Sequence, residues 1–205
     1  MSLLKNSLIY IALEKNSTEP VPMNHVELTA YASQIYTDVL IAKQQCSIKR
    51  MQQLLDELVH VTPKALPRKT YEDYFTSITK TGITTAKLIT LEIKAHIADC
   101  QRQPAQTIHY LYDAVKLEQQ LSFGYGPPIP VKPSFELLGE AFLKHKQYAK
   151  AYEQYVIALK RMPNRLQSLE GLEQAKKNLL EQHLPLPIAN VQPYFHRLIL
   201  PEYYH

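Results

Sequence analysis

Apolar residues recur along most of the chain at intervals of three and four positions, which is the spacing of amphipathic helices. The pattern predicts helices at about 25–44, 47–60, 71–79, 84–100, 104–121, 135–146, 149–162 and 165–182. Pro63 and Pro67 close the second helix, and Gly82 is expected to end the short helix that begins at Tyr71. Pro104 is tolerated because it lies in a first turn. No strand pattern competes with these helices, so the predicted fold class is all-α.

Three stretches interrupt the helical pattern. Residues 1–23 are mixed and end near Pro20 and Pro22, residues 122–133 read SFGYGPPIPVKP, and residues 184–205 carry several prolines. No helix can cross 122–133, because proline removes N–H donors and clashes with the preceding turn. The tail is too apolar for a free end, and we expect an extended C-terminal arm that packs on the body or on a partner. The predicted organisation is an N-terminal helical region over 1–70 with a degenerate helix pair at 25–60, a repeat region over 71–183, and the arm at 184–205.

Composition and charge exclude several classes. The formal net charge is +4 and the basic residues are dispersed, whereas nucleic-acid binders carry denser basic stripes, so no nucleic-acid partner is expected. The apolar run at 8–13 is too short to span a membrane, and no membrane partner is expected. The absence of a visible signal peptide favours the cytoplasm. However, the opening MSL could be an expression leader, with the natural chain beginning elsewhere.

The two cysteines, Cys46 and Cys100, lie far apart and form no CxxC pattern. This spacing indicates neither a disulfide framework nor a zinc site, and we expect two reduced, partly buried thiols.

A helix pair recurs in the chain. Residues 135–163 can be superimposed on residues 91–119 at an offset of 44, which is a 34-residue period plus a ten-residue insertion. Ala95 then falls on Gly139 and Ala114 on Ala158, while a further shift of 34 carries Phe135 to Leu169. Two-helix repeats of 34 residues predict an antiparallel helix-pair solenoid.

This pattern resembles the tetratricopeptide-repeat family. The resemblance rests on large, small and proline positions at that family's spacing. These repeat-packing positions are Phe135, Leu138, Gly139, Phe142, Ala151, Tyr155, Ala158 and Pro163 in residues 132–165, with Leu91, Ala95, Leu111 and Ala114 in residues 88–121. The earlier repeat departs from the pattern at Lys94 and Thr107 and lacks the final proline, and residues 165–182 resemble a first helix without its mate. A proline-rich loop between late repeats is similar to bacterial members, which are often longer, so the chain could be the C-terminal part of such a protein.

A glycine inside a helix needs a cause, because it costs about 1 kcal/mol relative to alanine. Gly139 faces Ala151 and Ala158 in the predicted pair, and small residues let two backbones approach closely. We therefore expect Gly139 to mark the closest approach of the two helices.

Candidate chemistry is sparse. His96 with Asp99, and His109 with Asp113, have the spacing of a metal pair or an acid–base pair, but solvated helix faces with weak local contacts are the favoured interpretation. Glu136, Glu140 and Glu170 are interpreted as solvated charges as well. With no HExxH, phosphate loop or nucleophile elbow, we expect no catalytic residue, no metal and no cofactor.

The resemblance implies a non-catalytic interaction scaffold that binds a peptide or partner helix in a concave groove lined by first helices. The groove positions carried over from the family are Ile89, Glu92, His96, Asp99, Glu136, Glu140, Leu143, Lys144, Glu170 and Gln174. Such a groove is acidic with a basic flank and suits a basic or amphipathic peptide. The alternatives are a helper or regulatory domain of an enzyme whose catalytic part lies elsewhere, and a weak nucleic-acid binder. A homodimer through the C-terminal arm is also compatible with the sequence.

Overall fold

A computed structural model describes residues 25–62, 72–121 and 132–187, and every regular element within these ranges is a helix. The helices are α1 (His25–Gln44), α2 (Ile48–Val61), α3 (Glu72–Cys100), α4 (Pro104–Glu118), α5 (Ser134–Lys144), α6 (Tyr148–Arg161) and α7 (Leu166–Glu181). The all-α prediction is confirmed. The predictions for residues 1–23, for most of the proline-rich loop and for the arm beyond residue 187 lie outside the described residues.

One helix is longer than predicted. Helix α3 runs without interruption through Gly82, so the expectation that this glycine ends a helix was wrong. Gly82 is buried. The penalty of one glycine in a helix, about 1 kcal/mol, is too small to end a helix that packs on α1, α2 and α4.

Helices α1, α3, α5 and α7 end in the same turn. In each case a residue with positive φ follows the helix, and the next N–H bonds back to a carbonyl five positions earlier, as in a Schellman motif. The residues with positive φ are Cys46, Arg102, Lys146 and His183. The bonds run from Ser47 to Ala42, Gln103 to Ala98, Gln147 to Phe142 and Leu184 to Leu179, each 2.9 Å from N to O. Helices α2, α4 and α6 begin two residues after this turn, so the chain forms the pairs α1–α2, α3–α4 and α5–α6.

The chain forms two compact units, Met1–Ser134 and Phe135–His205. In the first unit α1 packs on α2 and α3, and α3 also packs on α2 and α4. Its core contains Tyr36, Met51, Leu54, Leu88 and Ile93, which are all completely or almost completely buried.

The cysteines of the first unit form a disulfide. Cys46 lies in the turn after α1 and Cys100 is the last residue of α3, with 5.5 Å between their Cα atoms. The expectation of two reduced thiols was therefore wrong. The two residues are 54 positions apart in the sequence, and they come together only because α1 packs on α3. No local sequence pattern indicates this contact.

The second unit is built around Tyr155 of α6, which is 1% exposed. A Cβ atom added at Gly139 of α5 would lie 2.9 Å from the ring Cζ, and one added at Gly171 of α7 would lie 2.2 Å from it. The ring thus occupies the space that two glycines leave. Gly139 packs closely against this ring, and Gly171 packs against it more closely still, at a position that the repeat pattern did not mark. That Gly139 marks the closest approach of the two helix backbones stays a prediction.

The predicted repeat-packing positions are almost all buried. The exceptions are Leu91, which is half-buried, and Pro163, which is exposed. Pro163 precedes Asn164, whose φ is +65°, in the turn between α6 and α7. Pro163 therefore belongs to the turn between α6 and α7 and not to the core.

Candidate functional site

The predicted groove positions differ widely in exposure. In the first unit Ile89, Glu92 and His96 are buried and Asp99 is half-buried. In the second unit Glu136 is buried, Glu140 and Leu143 are half-buried, and Lys144, Glu170 and Gln174 are exposed. A partner could reach the exposed and half-buried side chains directly, whereas the buried ones act through the protein interior.

Glu136 forms a buried ion pair in the second unit. The Arg165 Nε donates to Glu136 Oε2 at 2.7 Å and its Nη2 donates to Oε1 at 3.1 Å. The Ser168 hydroxyl donates to Glu136 Oε2 at 2.5 Å. The Glu136 side chain is 0% exposed and that of Arg165 is 26% exposed. Two nitrogens of one guanidinium on one carboxylate make a strong, directional pair.

Glu136 was wrongly interpreted as a solvated charge. Its sequence neighbourhood resembles an exposed helix face, and its two partners lie 29 and 32 positions downstream. The carboxylate connects the first turn of α5 to the start of α7, and Arg165 compensates its charge. It therefore adds little negative charge to the surface.

A related cluster lies in the first unit around Glu92 of α3. The Ser134 hydroxyl donates to Glu92 Oε1 at 2.7 Å. The Ser134 backbone N–H donates to Glu118 Oε2 at 2.5 Å, so the last residue of α4 accepts one of the N–H groups that the first turn of a helix leaves without a helical partner. All three residues are 0% exposed.

The titration of Glu92 follows from this enclosure. Burial raises the pKa of the Glu92 carboxyl well above its usual value, and the nearby charge of Glu118 adds to the rise. Hydrogen bonds from Ser134 and Tyr36 and the positive charge of Lys132 lower the same pKa and offset part of the rise. Glu92 is thus easier to protonate than an ordinary glutamate.

His96 lies one turn further along α3. Its ring stacks on Tyr36 with the centroids 6.0 Å apart, and its Nε2 lies 3.3 Å from the Tyr36 hydroxyl. Burial lowers the pKa of His96 well below its usual value, and the positive charges of Lys43 and Lys132 lower it further. The imidazole is neutral at neutral pH and belongs to the core, being 3% exposed. The interpretation of His96 as part of a solvated helix face was therefore wrong, because its contact with Tyr36 arises from the packing of α1 on α3.

The two clusters occupy equivalent positions in the sequence. Glu92 and Glu136 are 44 positions apart, and Ser134 and Ser168 are 34 apart, which are the two offsets of the predicted repeat. In each cluster a cation lies two or three residues before the serine, namely Lys132 and Arg165. The glutamate–serine hydrogen bond is therefore a recurring feature of the chain, made once within each unit.

Sequence reasoning missed Arg165, Ser168, Ser134, Glu118 and Gly171. Applying the two offsets to polar residues would have paired the glutamates and the serines. The spacing of Ser168, Gly171 and Ala175 would have marked the small-residue face that α7 buries.

Five exposed or half-buried residues of α5 and α7 form a surface of the second unit, here named the α5–α7 surface. It consists of Glu140, Leu143, Lys144, Glu170 and Gln174. The contact of Glu136 with Ser168 and the approach of both helices to Tyr155 link α5 to α7.

The remaining candidate pair makes a local contact. His109 Nε2 lies 3.7 Å from Asp113 Oδ2, and the side chains are 64% and 35% exposed. Lys116 Nζ lies 2.8 Å from the other Asp113 oxygen, and this hydrogen bond lowers the pKa of Asp113. The prediction of a weak contact on a solvated face is confirmed for this pair.

A nucleic acid bound by the second unit would need basic residues such as Lys144, Lys146, Lys150, Lys160 and Arg161. Two of them lie over aromatic rings: Lys150 Nζ is 5.5 Å from the Phe142 centroid, and Arg161 Cζ is 5.6 Å from that of Phe135. These two cations contact the aromatic core of α5, where a cation–π interaction is favourable.

Within the described ranges, no three His, Cys, Asp or Glu side chains converge as metal ligands would. Over the same residues, no helix combines the length and hydropathy of a membrane span.

Comparisons with protein families, with curated proteins and with solved structures found no match for this chain. The functional argument therefore rests on the geometry of the clusters and surfaces described above.

Proposed function

We propose that this protein is a non-catalytic helical-repeat scaffold that binds a basic or amphipathic peptide, or a partner helix, on the α5–α7 surface. The observation that supports it best is the recurrence of the buried glutamate–serine bond at the repeat offsets, Glu92 with Ser134 and Glu136 with Ser168. This recurrence favours a tetratricopeptide-like solenoid, in which first helices lie side by side and present one continuous surface.

The identical turns after α1, α3, α5 and α7 support the same arrangement. A turn of fixed geometry sets the crossing of each helix pair, and repeated pairs of equal geometry stack into a solenoid. The surface formed by neighbouring first helices is concave in such stacks and is suited to extended or helical peptides.

The buried positions narrow the predicted groove. Glu92, His96 and Glu136 interact with other protein groups in the interior, and Ile89 is enclosed in the core. We propose that these four support the helices from within, and that the residues of the α5–α7 surface make the contacts with the peptide. Glu140 and Glu170 supply the negative charge that selects a basic partner.

A random peptide display library, selected against the full chain, tests this function without a known partner. We expect enrichment of peptides with several Lys or Arg residues beside an apolar residue. Binding of the selected peptides should weaken about ten-fold in Glu140→Lys and in Glu170→Lys, and should fall as ionic strength rises.

Glu153→Lys is the matched control. Glu153 is half-buried on α6, in the same unit but on a second helix, and its reversal makes the same change in net charge. Equal loss of binding in Glu153→Lys would mean that net charge and not the α5–α7 surface attracts the peptides. A library that yields no binder would refute the proposed function.

A further inference from the structure

Helix α7 carries an exposed stripe of five residues, which we name the α7 stripe. They follow one another at intervals of three and four positions: Leu166, Leu169, Glu173, Lys176 and Leu180. At about 100° per residue all five fall within about 80° of the helix circumference. The three leucines are 66%, 41% and 55% exposed in that order, and the side chains of Glu173 and Lys176 are 70% and 42% exposed. The stripe is therefore open to a partner along its length.

The spacing of the α7 stripe is that of a seam between two helices. Intervals of three, four, three and four are those of the a and d positions of a heptad repeat, whose side chains interlock between paired helices. Leucines lie toward the ends of the stripe and an opposite-charge pair lies in its middle, where Lys176 Nζ is 3.6 Å from Glu173 Oε1. A purely apolar partner would take both charges out of water without compensation, which is costly. A matching partner must therefore carry its own anion and cation at the middle of its surface.

A second copy of α7 has these features. Two antiparallel copies can be aligned so that Leu169 of each lies beside Leu180 of the other. The same alignment brings Glu173 of each beside Lys176 of the other, because both pairs of positions are centred on the same point of the helix. Two leucine contacts then flank two ion pairs. Parallel copies would instead place Glu173 against Glu173 and Lys176 against Lys176, and like charges in contact are unfavourable.

We propose that the protein forms an antiparallel homodimer through the α7 stripe. The same surface is used on both copies, as in the two-fold contacts that are commonest among soluble oligomers. Burial of the leucines supplies the driving force, and the charged pairs fix the alignment, as polar residues at heptad positions do. A seam of about four turns buries less than the roughly 800 Å² per partner of a standard interface, so we expect a dissociation constant on the order of 10 µM.

The dimer contact is distinct from the proposed peptide contact. Glu170 and Gln174 lie about 80° and 120° around α7 from the centre of the α7 stripe, which is itself only about 80° wide. The variants that test the dimer change no residue of the α5–α7 surface, so the two proposals can fail separately.

Sedimentation velocity of the full chain between about 1 and 200 µM tests the dimer. We expect the average mass to rise from that of one chain toward that of two. The double variant Leu169→Asp/Leu180→Asp should remain a single chain throughout, because it places carboxylates in both leucine contacts. Ile41→Asp is the control and should dimerise as the wild type does, since it changes an equally exposed apolar residue, 60% exposed, in the first unit.

Charge reversal tests the antiparallel alignment. Glu173→Lys and Lys176→Glu should each weaken dimerisation at least about ten-fold, because each sets like charges against one another in both ion pairs. An equimolar mixture of these two variants should dimerise again, since one copy then carries two cations at the seam and the other two anions. The double variant Glu173→Lys/Lys176→Glu should also recover. Glu153→Lys makes the same change in net charge as Glu173→Lys, but on α6, and should leave dimerisation unchanged.

Each outcome decides the proposal. Circular dichroism would establish that the variants retain their helices, as expected for substitutions at exposed positions. A wild type that stays a single chain over the whole concentration range would overturn the proposal. A dimer that survives Leu169→Asp/Leu180→Asp would overturn it as well, because another surface would then join the copies. A dimer insensitive to both charge reversals, or a mixture of the two variants that stays monomeric, would refute the antiparallel alignment.

Discussion

The contact of Tyr155 with two glycines offers a sharp test of the packing in the second unit. The change to make is Gly171→Ala on α7, with Gly139→Ala on α5 as its matched partner. Both substitutions put one methyl group against the same ring, in helix interiors where alanine is intrinsically favoured by about 1 kcal/mol. Only the space available differs between them.

The structure sets the expected magnitudes. Carbon atoms pack best about 3.5 Å apart, so the ring must retreat about 1.3 Å from a Cβ at Gly171, where the distance is 2.2 Å, and about 0.6 Å from one at Gly139, where it is 2.9 Å. Overpacking a close-packed core costs about 1–3 kcal/mol. After the gain in helix propensity, we expect Gly171→Ala to lower the free energy of unfolding by about 1–2 kcal/mol, and Gly139→Ala to leave it almost unchanged.

Urea denaturation of the full chain, followed by circular dichroism, measures both effects. The same two changes in a Tyr155→Leu background complete a double-mutant cycle, since leucine lacks the ring atoms that clash. In that background Gly171→Ala should cost nothing or should stabilise the fold. A cost that persists without the ring, or a Gly171→Ala variant as stable as the wild type, would refute the proposed cause.

Three further predictions concern the buried polar groups and the disulfide. Cys46→Ser opens a crosslink that spans 54 positions, and should lower the free energy of unfolding by about 4 kcal/mol relative to the oxidised wild type but not to the reduced one. Arg165→Ala should cost about 2–3 kcal/mol in urea melts, and adding Glu136→Gln should recover part of it, because no unpaired charge then stays buried. The raised pKa of Glu92 stabilises the fold below about pH 4.5, and this contribution is lost as the pH rises; the lowered pKa of His96 stabilises it above about pH 6.5, and this one is lost as the pH falls. Between about pH 6.5 and pH 4.5, acidification should therefore lower the free energy of unfolding more steeply in Glu92→Gln than in the wild type, and less steeply in His96→Gln. Profiles of unfolding free energy against pH that run parallel to that of the wild type would contradict both assignments.

Local periodicity is the part of the structure that the sequence makes accessible. Helix spacing can be recognised from neighbours three or four positions away, and every regular element in the described residues is a helix. This signal depends on the chain within one helix. Propensity and periodicity act over that range, so they identify helices with little ambiguity.

The missed features depend on partners distant in the chain. Glu136 looks solvated until Arg165 is placed beside it, and Cys46 looks free until α1 packs on α3. Gly82 looks like a helix break because its burial depends on tertiary packing. No local sequence pattern indicates which distant residues will pair. The burial of a charged residue can therefore be predicted from sequence only when an equivalent residue in another repeat shows the same pairing.

Comparison of the two glutamate clusters distinguishes apolar packing positions, which differ between the units, from the buried hydrogen bond, which recurs. The apolar contacts differ between the equivalent positions, since Leu111 corresponds to Tyr155 and Ala98 to Phe142, yet both sets are buried. Apolar packing tolerates such exchanges when volume is compensated elsewhere. The buried hydrogen bond from serine to glutamate is kept in both units, with a cation close to each. A buried carboxylate without its donor is costly, so a slip of α7 along α5 is penalised at Glu136 even where the apolar side chains could adapt. Within the second unit the Glu136 carboxylate therefore constrains how α7 sits on α5 more strictly than the apolar contacts do.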